Sequence, residues 1–311
     1  MSHLGELISI VVALCWTATA LFADDASHRL GALTVNVIRL LLGALFLGLI
    51  LWVTIGVPYP LHADARTWWW LALSALVGYL FGDYCLFNCY LVIGARFGQL
   101  FMTLAPLMAA LSAWLLLGET LGTTAILAMA VTLFGIAISI LSRGADHHIR
   151  STLPLRGILL GIGAGTGQGV GLVLSKIGMQ HYAAALPPDA PARLGTMMPF
   201  AATMIRALVG GSAFLLVMAA TRQLPKLRKG LRDRSGMCST VLTTLFGPVI
   251  GVSLSLMAVR YASAGIASTL MALTPVLIIL PYSILHRQRI RVREIIGVAV
   301  SMAGVALFFL S

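Results

Sequence analysis

Apolar residues recur along the chain in ten long runs that short polar stretches separate. Most runs have the roughly 20 residues that an α-helix needs to cross a hydrocarbon core of about 30 Å. The pattern therefore predicts an all-α integral membrane protein with ten transmembrane helices. The predicted spans are residues 4–22, 31–54, 68–88, 94–117, 122–141, 157–180, 196–219, 237–258, 262–285 and 294–310.

The second half of the chain repeats features of the first half at a shift of 169 residues. We therefore predict two five-helix repeats, residues 1–141 and 157–311, joined by a polar linker at 142–156. Because five is odd, the copies are expected to be inverted in the membrane, as in many secondary transporters with a central site. The aligned pairs are Pro106 with Pro275, Gly78 with Gly247, Gly82 with Gly251, and Gly135 with Gly304.

Composition excludes most other classes of protein. Hydrophobic residues make up 59% of the 311 and charged residues only 10%, with a mean hydropathy of +0.97. A soluble domain has about 25% charged residues, so this surface belongs in lipid. The net charge of +11 lies mainly in short loops, which argues against nucleic-acid binding. The four cysteines fall in apolar runs, and we expect no disulfide, metal site or cofactor.

Loop charge predicts the orientation in the membrane. The loops after spans 1, 3, 5, 7 and 9 hold 14 of the 21 Lys and Arg residues, and the opposite loops hold three. By the positive-inside rule the first set is cytoplasmic, which places both termini outside. We expect a multi-pass protein of a bacterial inner membrane.

Ionisable residues inside spans are costly and need a reason. Arg39 and Arg206 occupy matching places in the second and seventh spans. Each could bind an anionic substrate group as a planar fork, or pair with helix carbonyls as a structural element. The position that matches Asp83 in the second repeat is Val252, so the acid occurs in one repeat only. Two roles for Asp83 are equally supported: proton coupling or binding of a substrate amine, and a structural ion pair with Arg39 or Lys176.

Other polar residues are candidates for lining a cavity or forming a gate. Lys176, near the end of the sixth span, is either a gate residue or a lysine that reaches toward water. Gln168 lies in a run with glycine at every second position, and Trp16 matches it in the first repeat. Pro106 and Pro275 are expected to break or hinge their helices, because proline removes a backbone hydrogen bond. Further candidates for hydrogen bonds to a substrate are Tyr84, Asn88 and Ser253.

Several of these residues resemble the EamA-type transporters of the drug/metabolite transporter superfamily. The best match is Thr103-Leu104-Ala105-Pro106 followed by Leu116-Leu117-Gly118-Glu119. The resemblance extends to the arginine in the second span of each repeat and to Lys176, and it covers nearly the whole chain. It departs at Gln288, where the second repeat would carry the counterpart of Glu119.

The resemblance implies a gradient-driven carrier that exports amino acids, related metabolites or drugs, with both termini in the cytoplasm. That orientation is opposite to the one that loop charge predicts. We expect an alternating-access exporter of a small metabolite rather than an enzyme, with protons as a candidate coupling ion. A lipid flippase and a small multidrug carrier remain alternatives, a membrane-embedded enzyme is a remote one, and both a monomer and a homodimer remain open.

Overall fold

The computed structural model describes residues 3–142, 154–277 and 292–309, and over these residues it contains helices and no strand. This confirms the all-helical prediction for the described part of the chain. In chain order the elements are α1 Leu4–Leu30, α2 Ala32–Ile55, α3 Ala65–Ala75, the first π segment Leu76–Asp83, α4 Tyr84–Met102, α5 Leu104–Leu117, α6 Thr123–Ser142, α7 Leu155–Ala185, α8 Ala192–Ala220, α9 Leu224–Gly230, α10 Arg234–Thr244, the second π segment Leu245–Val252, α11 Ser253–Tyr261, α12 Ala264–Met271, α13 Thr274–Leu277 and α14 Val292–Phe309.

Six helices in the described residues are long and apolar enough to cross a membrane. Shorter apolar helices lie at Leu104–Leu117, Thr123–Ile138 and Ile295–Leu307. Large apolar side chains are exposed on the outside of these helices, for example Val53 at 83% and Leu216 at 70%. Such a surface is stable in lipid rather than in water. The linker residues 143–153 and the predicted end of the ninth span lie outside the described residues.

Some predicted spans differ from the observed helices. The fourth span, 94–117, is not one helix: Gly94 has a non-helical φ of 81°, and the helix breaks again at Thr103. The first span was predicted to end at residue 22, whereas α1 continues to Leu30. It continues because Ala23 and Ala26 remain buried against the bundle, while Asp25 accepts hydrogen bonds from Arg29 and Ser239.

Two eight-residue π-helical segments interrupt the third and eighth predicted spans. Leu76–Asp83 and Leu245–Val252 are separated by the same 169 residues that align the two halves of the sequence. A π-helix widens the turn and leaves local carbonyl groups less regularly bonded, and such segments are frequent at functional sites. The first segment ends at Asp83, and the second has Val252 at that place.

The helices of the two halves interlock, and one close contact between α6 and α14 is reciprocal. A Cβ placed on Gly135 of α6 would lie 2.4 Å from the backbone nitrogen of Ser301 in α14. A Cβ on Gly304 would lie 2.5 Å from the backbone nitrogen of Thr132. Residues 132 and 301, like 135 and 304, are 169 apart. The two contacts are therefore the same contact made in both directions.

Reciprocity extends to the centre of the bundle. The first π segment packs against α7 and α8, and the second packs against α1 and α2. A Cβ on Gly82 would lie 3.3 Å from the backbone nitrogen of Gln168, and a Cβ on Gly251 would lie 3.0 Å from the Trp16 ring. Because glycine has no side chain, each π segment approaches its neighbouring helix closely. The predicted pair Trp16 and Gln168 therefore occupies comparable positions beside the two segments.

Candidate functional site

Asp83 and Arg39 form a buried ion pair. Arg39 Nη2 on α2 contacts Asp83 Oδ2 at the end of the first π segment, and the two side chains are 5% and 6% exposed. The same Nη2 donates to Asn36 Oδ1 at 3.0 Å, and the guanidinium lies 5.0 Å from the Phe87 ring centre. The pair satisfies two charges that would each be costly alone in the membrane. Of the partners considered for Asp83, the structure gives Arg39 and not Lys176.

Gln168 connects this ion pair to the interior of the bundle. Its Nε2 donates to Asp83 Oδ1 at 2.6 Å and to the carbonyl of Gly78 at 3.2 Å. The glycine run of α7 makes this contact possible, since a Cβ on Gly171 would lie 2.8 Å from the Cα of Gly78. The Ser74 hydroxyl also donates to the Gly171 carbonyl at 2.7 Å. These contacts fix α7 against the first π segment.

Arg206 lies close to this cluster but has a different environment. It is 3% exposed, and its guanidinium lies 4.5 Å from the centre of the Tyr79 ring. The Nε of Arg206, like that of Arg39, makes no hydrogen bond to a described residue, but unlike Arg39 it has no ion pair with a described carboxylate. Arg39 and Arg206 thus match in sequence position but not in pairing.

A cavity opens beside Arg206 between elements of both halves. Its empty volume is about 610 Å³, a figure that includes the open space at its mouth. Its lining combines aromatic and aliphatic side chains with a few polar groups. The lining residues are Trp16, Tyr79, Gln99, Met102, Ala105, Gln168, Leu172, Arg206, Val252, Ser255, Ser268, Met271, Ala272 and Thr274.

Lys176 belongs to a second ion pair, away from the cavity lining. Its Nζ lies 2.5 Å from Glu119 Oε1 and donates to the Ala262 carbonyl at 3.1 Å. Glu119 Oε2 accepts a hydrogen bond from the backbone nitrogen of Ala264 at 3.1 Å, at the start of α12. The pair therefore joins α7, the residues that follow α5 and the junction of α11 with α12.

The two predicted helix-breaking prolines follow breaks in the helices. Pro106 lies in the first turn of α5, directly after the break at Thr103. Pro275 lies in α13, which begins after the break at Ala272 and Leu273. Proline fits a first helical turn because its missing N–H has no partner there. Whether these breaks act as hinges stays a prediction.

Besides Arg39, Asp83 and Lys176, three more of the predicted site residues do not line the cavity. Tyr84 is exposed, and Asn88 donates its side-chain N–H to the Tyr84 carbonyl at 2.7 Å. Ser253 is buried, and its hydroxyl donates to the carbonyl of Pro248 at 3.4 Å. The three residues therefore stand apart from Trp16, Gln168 and Arg206, which the cavity brings together.

Sequence reasoning missed Tyr79 and Gln99. The Tyr79 ring lies 4.5 Å from the Arg206 guanidinium and 5.9 Å from that of Arg39. Gln99 lines the cavity and donates to the Tyr90 hydroxyl at 2.5 Å. Tyr79 was detectable in principle, because it directly follows the repeat-matched Gly78. Nothing in the sequence distinguishes Gln99 from an ordinary polar residue of a span.

Comparison with known protein families gives two matches within the chain. The EamA-like transporter family matches residues 3–141 and again residues 155–310. The chain is 24% identical over 164 residues to an uncharacterized inner membrane transporter, YhbE, of Escherichia coli O157:H7. A Shigella flexneri protein of the same name is equally similar. These alignments cover 52% of this chain and 51% of each relative, so they span about half the length of the curated relatives.

A protein of known crystal structure has the same fold. It aligns with 100% of this chain and 98% of its own chain, with a TM-score of 0.72 and 17% sequence identity. At this identity the similarity concerns the fold alone.

Proposed function

Because the chain belongs to the EamA-like transporter family, we propose that it is a secondary active transporter that exports a small metabolite across a bacterial inner membrane by alternating access. Membership confirms the predicted resemblance, and with the apolar helices it identifies a multi-pass integral membrane protein. The observation that carries the proposal is the cavity between elements of both halves, whose mainly apolar lining includes Gln168 and Arg206. A cavity at a repeat interface is the kind of site that alternating access uses.

The proposed architecture has ten spans in two inverted five-helix repeats, with the boundaries 1–141 and 157–311. Three observations support it: the family matches the chain twice, the π segments are 169 residues apart, and the contacts of α6 with α14 are reciprocal. A two-fold pseudosymmetry makes two conformations, open to opposite sides, nearly equal in structure. Small differences between the repeats then decide which conformation is favoured.

The Lys176–Glu119 pair is the proposed gate on one side of the carrier. It connects the residues after α5 to the start of α12, so it resists their separation. The corresponding sequence positions are Asp24 and Gln288, and these residue types form no ion pair. The state closed by Lys176 and Glu119 is therefore expected to be the more stable one. The helix break at Ala272 borders the cavity and supplies a place where α12 and α13 can move.

Asp83 is the proposed coupling residue. Protonation would remove its charge, weaken the contact with Arg39 and alter the acceptor that holds Gln168. Because Gln168 lines the cavity, a proton on Asp83 could change the site without a direct contact between Asp83 and the substrate. Under this proposal, Asp83→Asn abolishes the dependence of transport on external pH. A variant with full activity and an unchanged pH profile would exclude Asp83 as the coupling group.

Metabolite profiling of cells and medium tests the transport function. Cells that overexpress the wild-type chain are compared with cells that express Gln168→Leu or Asn88→Leu at equal membrane abundance. We expect a small set of compounds to rise in the medium with the wild type and with Asn88→Leu, whose amide lies outside the cavity, but not with Gln168→Leu. Export of lipids or of hydrophobic cations instead would favour a flippase or a multidrug carrier, and no change in any compound would contradict export.

A further inference from the structure

Arg206 carries a buried charge that the described protein does not balance. Its side chain is 97% buried, lines the cavity and makes no ion pair with a described residue. Its Nε lacks a hydrogen-bond partner among the described residues. A buried guanidinium normally has its donors paired, because an unpaired buried charge is costly. The Tyr79 ring at 4.5 Å offers a cation–π contact, which satisfies none of the N–H donors.

Charge counting around the cavity gives the same result. The direct contacts of the Asp83 carboxylate are with Arg39 and Gln168. One carboxylate balances one of the two guanidinium groups. Glu119 is engaged by Lys176 and by a backbone N–H. Among these described groups one positive charge remains, and it belongs to Arg206, which lines the cavity.

The rest of the lining indicates which kind of anionic ligand could balance the charge of Arg206. The Ser268 hydroxyl lines the cavity and makes no hydrogen bond to the described residues, so it can donate to an anion. Trp16, Leu172 and Met271 provide apolar walls for a carbon skeleton. Since Asp83 lies behind Gln168 and is not part of the lining, no free carboxylate of the described lining is left to bind an ammonium group.

We propose that Arg206 is the binding site for the carboxylate of an amphipathic organic monoanion, with the apolar body of the ligand against Trp16 and Met271. This assignment rests on the proposed transport function and names its substrate class. The planar fork of arginine matches a carboxylate with two parallel hydrogen bonds. Zwitterionic amino acids and cationic drugs are disfavoured, because their ammonium group would enter a cavity that already has an excess positive charge.

Four compounds with a similar phenylalkyl body and different charge test the assignment: 3-phenylpropionate, 3-phenylpropionamide, 3-phenylpropylamine and phenylalanine. Their affinities for the purified full-length protein in lipid nanodiscs are measured by calorimetry. We expect 3-phenylpropionate to bind at least about tenfold more tightly than the amide, as for a charge-assisted hydrogen bond. Arg206→Gln should remove this preference, and Arg206→Lys should retain part of it. Arg193→Gln, an exposed arginine on the same helix, should leave it unchanged.

The outcomes separate the anion site from the transport function. Absence of binding by 3-phenylpropionate, equal binding of the amide or amine, or an unchanged preference in Arg206→Gln would each overturn the assignment. Counterflow of the same compounds in proteoliposomes gives the second readout. Counterflow of the amine or the amide alone would retain the carrier and reject the anion site. Carboxylate binding that depends on Arg206, without counterflow of any compound, would retain the site and reject transport.

Discussion

Replacing Asp83 by Asn should destabilise the protein, because Arg39 then loses its charged partner. Removing one member of a buried ion pair costs about 3–5 kcal/mol. Arg39 makes its contacts with Asn36 at 3.0 Å and with the Phe87 ring at 5.0 Å in the wild type as well, so these contacts do not reduce the cost. We therefore expect a loss of about 3–5 kcal/mol in the free energy of unfolding.

Thermal unfolding of the purified protein in detergent measures this loss. With about 2–4 °C per kcal/mol for a large domain, the midpoint should fall by roughly 6–20 °C. Asp64→Asn is the matched control, because Asp64 is an exposed N-cap residue of α3 and Asn caps equally well. A double-mutant cycle with Arg39→Met isolates the pair, and the double variant should be more stable than additivity predicts. Additive effects, or a wild-type midpoint for Asp83→Asn, would refute the reasoning.

Two further predictions concern the gate and the contact between the halves. Glu119→Gln should lower the unfolding midpoint, because it removes the ion pair with Lys176. The charge exchange Glu119→Lys with Lys176→Glu should restore part of the loss. An unchanged midpoint in Glu119→Gln would contradict the gate. Gly135→Ala and Gly304→Ala should each cost about 1–3 kcal/mol by overpacking against the facing helix, whereas Gly122→Ala, which has open space around it, should not. Unequal effects in thermal unfolding of the first two variants would contradict the reciprocal packing.

Hydropathy was sufficient to predict where most helices lie, because a span needs only a long apolar run. It could not predict the break at Gly94 inside the fourth span, since glycine is also tolerated within membrane helices. The break at Thr103 lies just before Pro106, where proline and not hydropathy led us to expect a break or hinge. The π segments could not be predicted either. Their sequences are mainly apolar, like those of ordinary membrane helices, and the change of helical type depends on how closely a neighbouring helix approaches. Only the repeated glycines at 78 and 82 indicated that this region was unusual.

The candidate site was predictable in part. An ionisable residue in a span requires a partner, and this rule identified Arg39, Asp83 and Arg206 as candidate site residues. The sequence could not show that Arg39 takes the carboxylate and Arg206 does not, because the two arginines hold matching positions in the repeats. Arg39 has a charged partner because the first π segment ends at Asp83, whereas the second ends at Val252. The contact between Gln168 and Asp83 depends on distances across the bundle that no local pattern contains.

The most direct test of alternating access is the accessibility of a cysteine at position 255 to a membrane-impermeant thiol reagent added from either side. In a background without the four native cysteines, Ser255→Cys lines the cavity, and Ser253→Cys, which lies two residues away and outside the lining, is the control. At rest we predict labelling of position 255 from one side of the membrane only. An imposed substrate gradient should change the labelling rate from each side, and position 253 should not be labelled. Simultaneous, equal labelling of position 255 from both sides would indicate a channel and contradict the account.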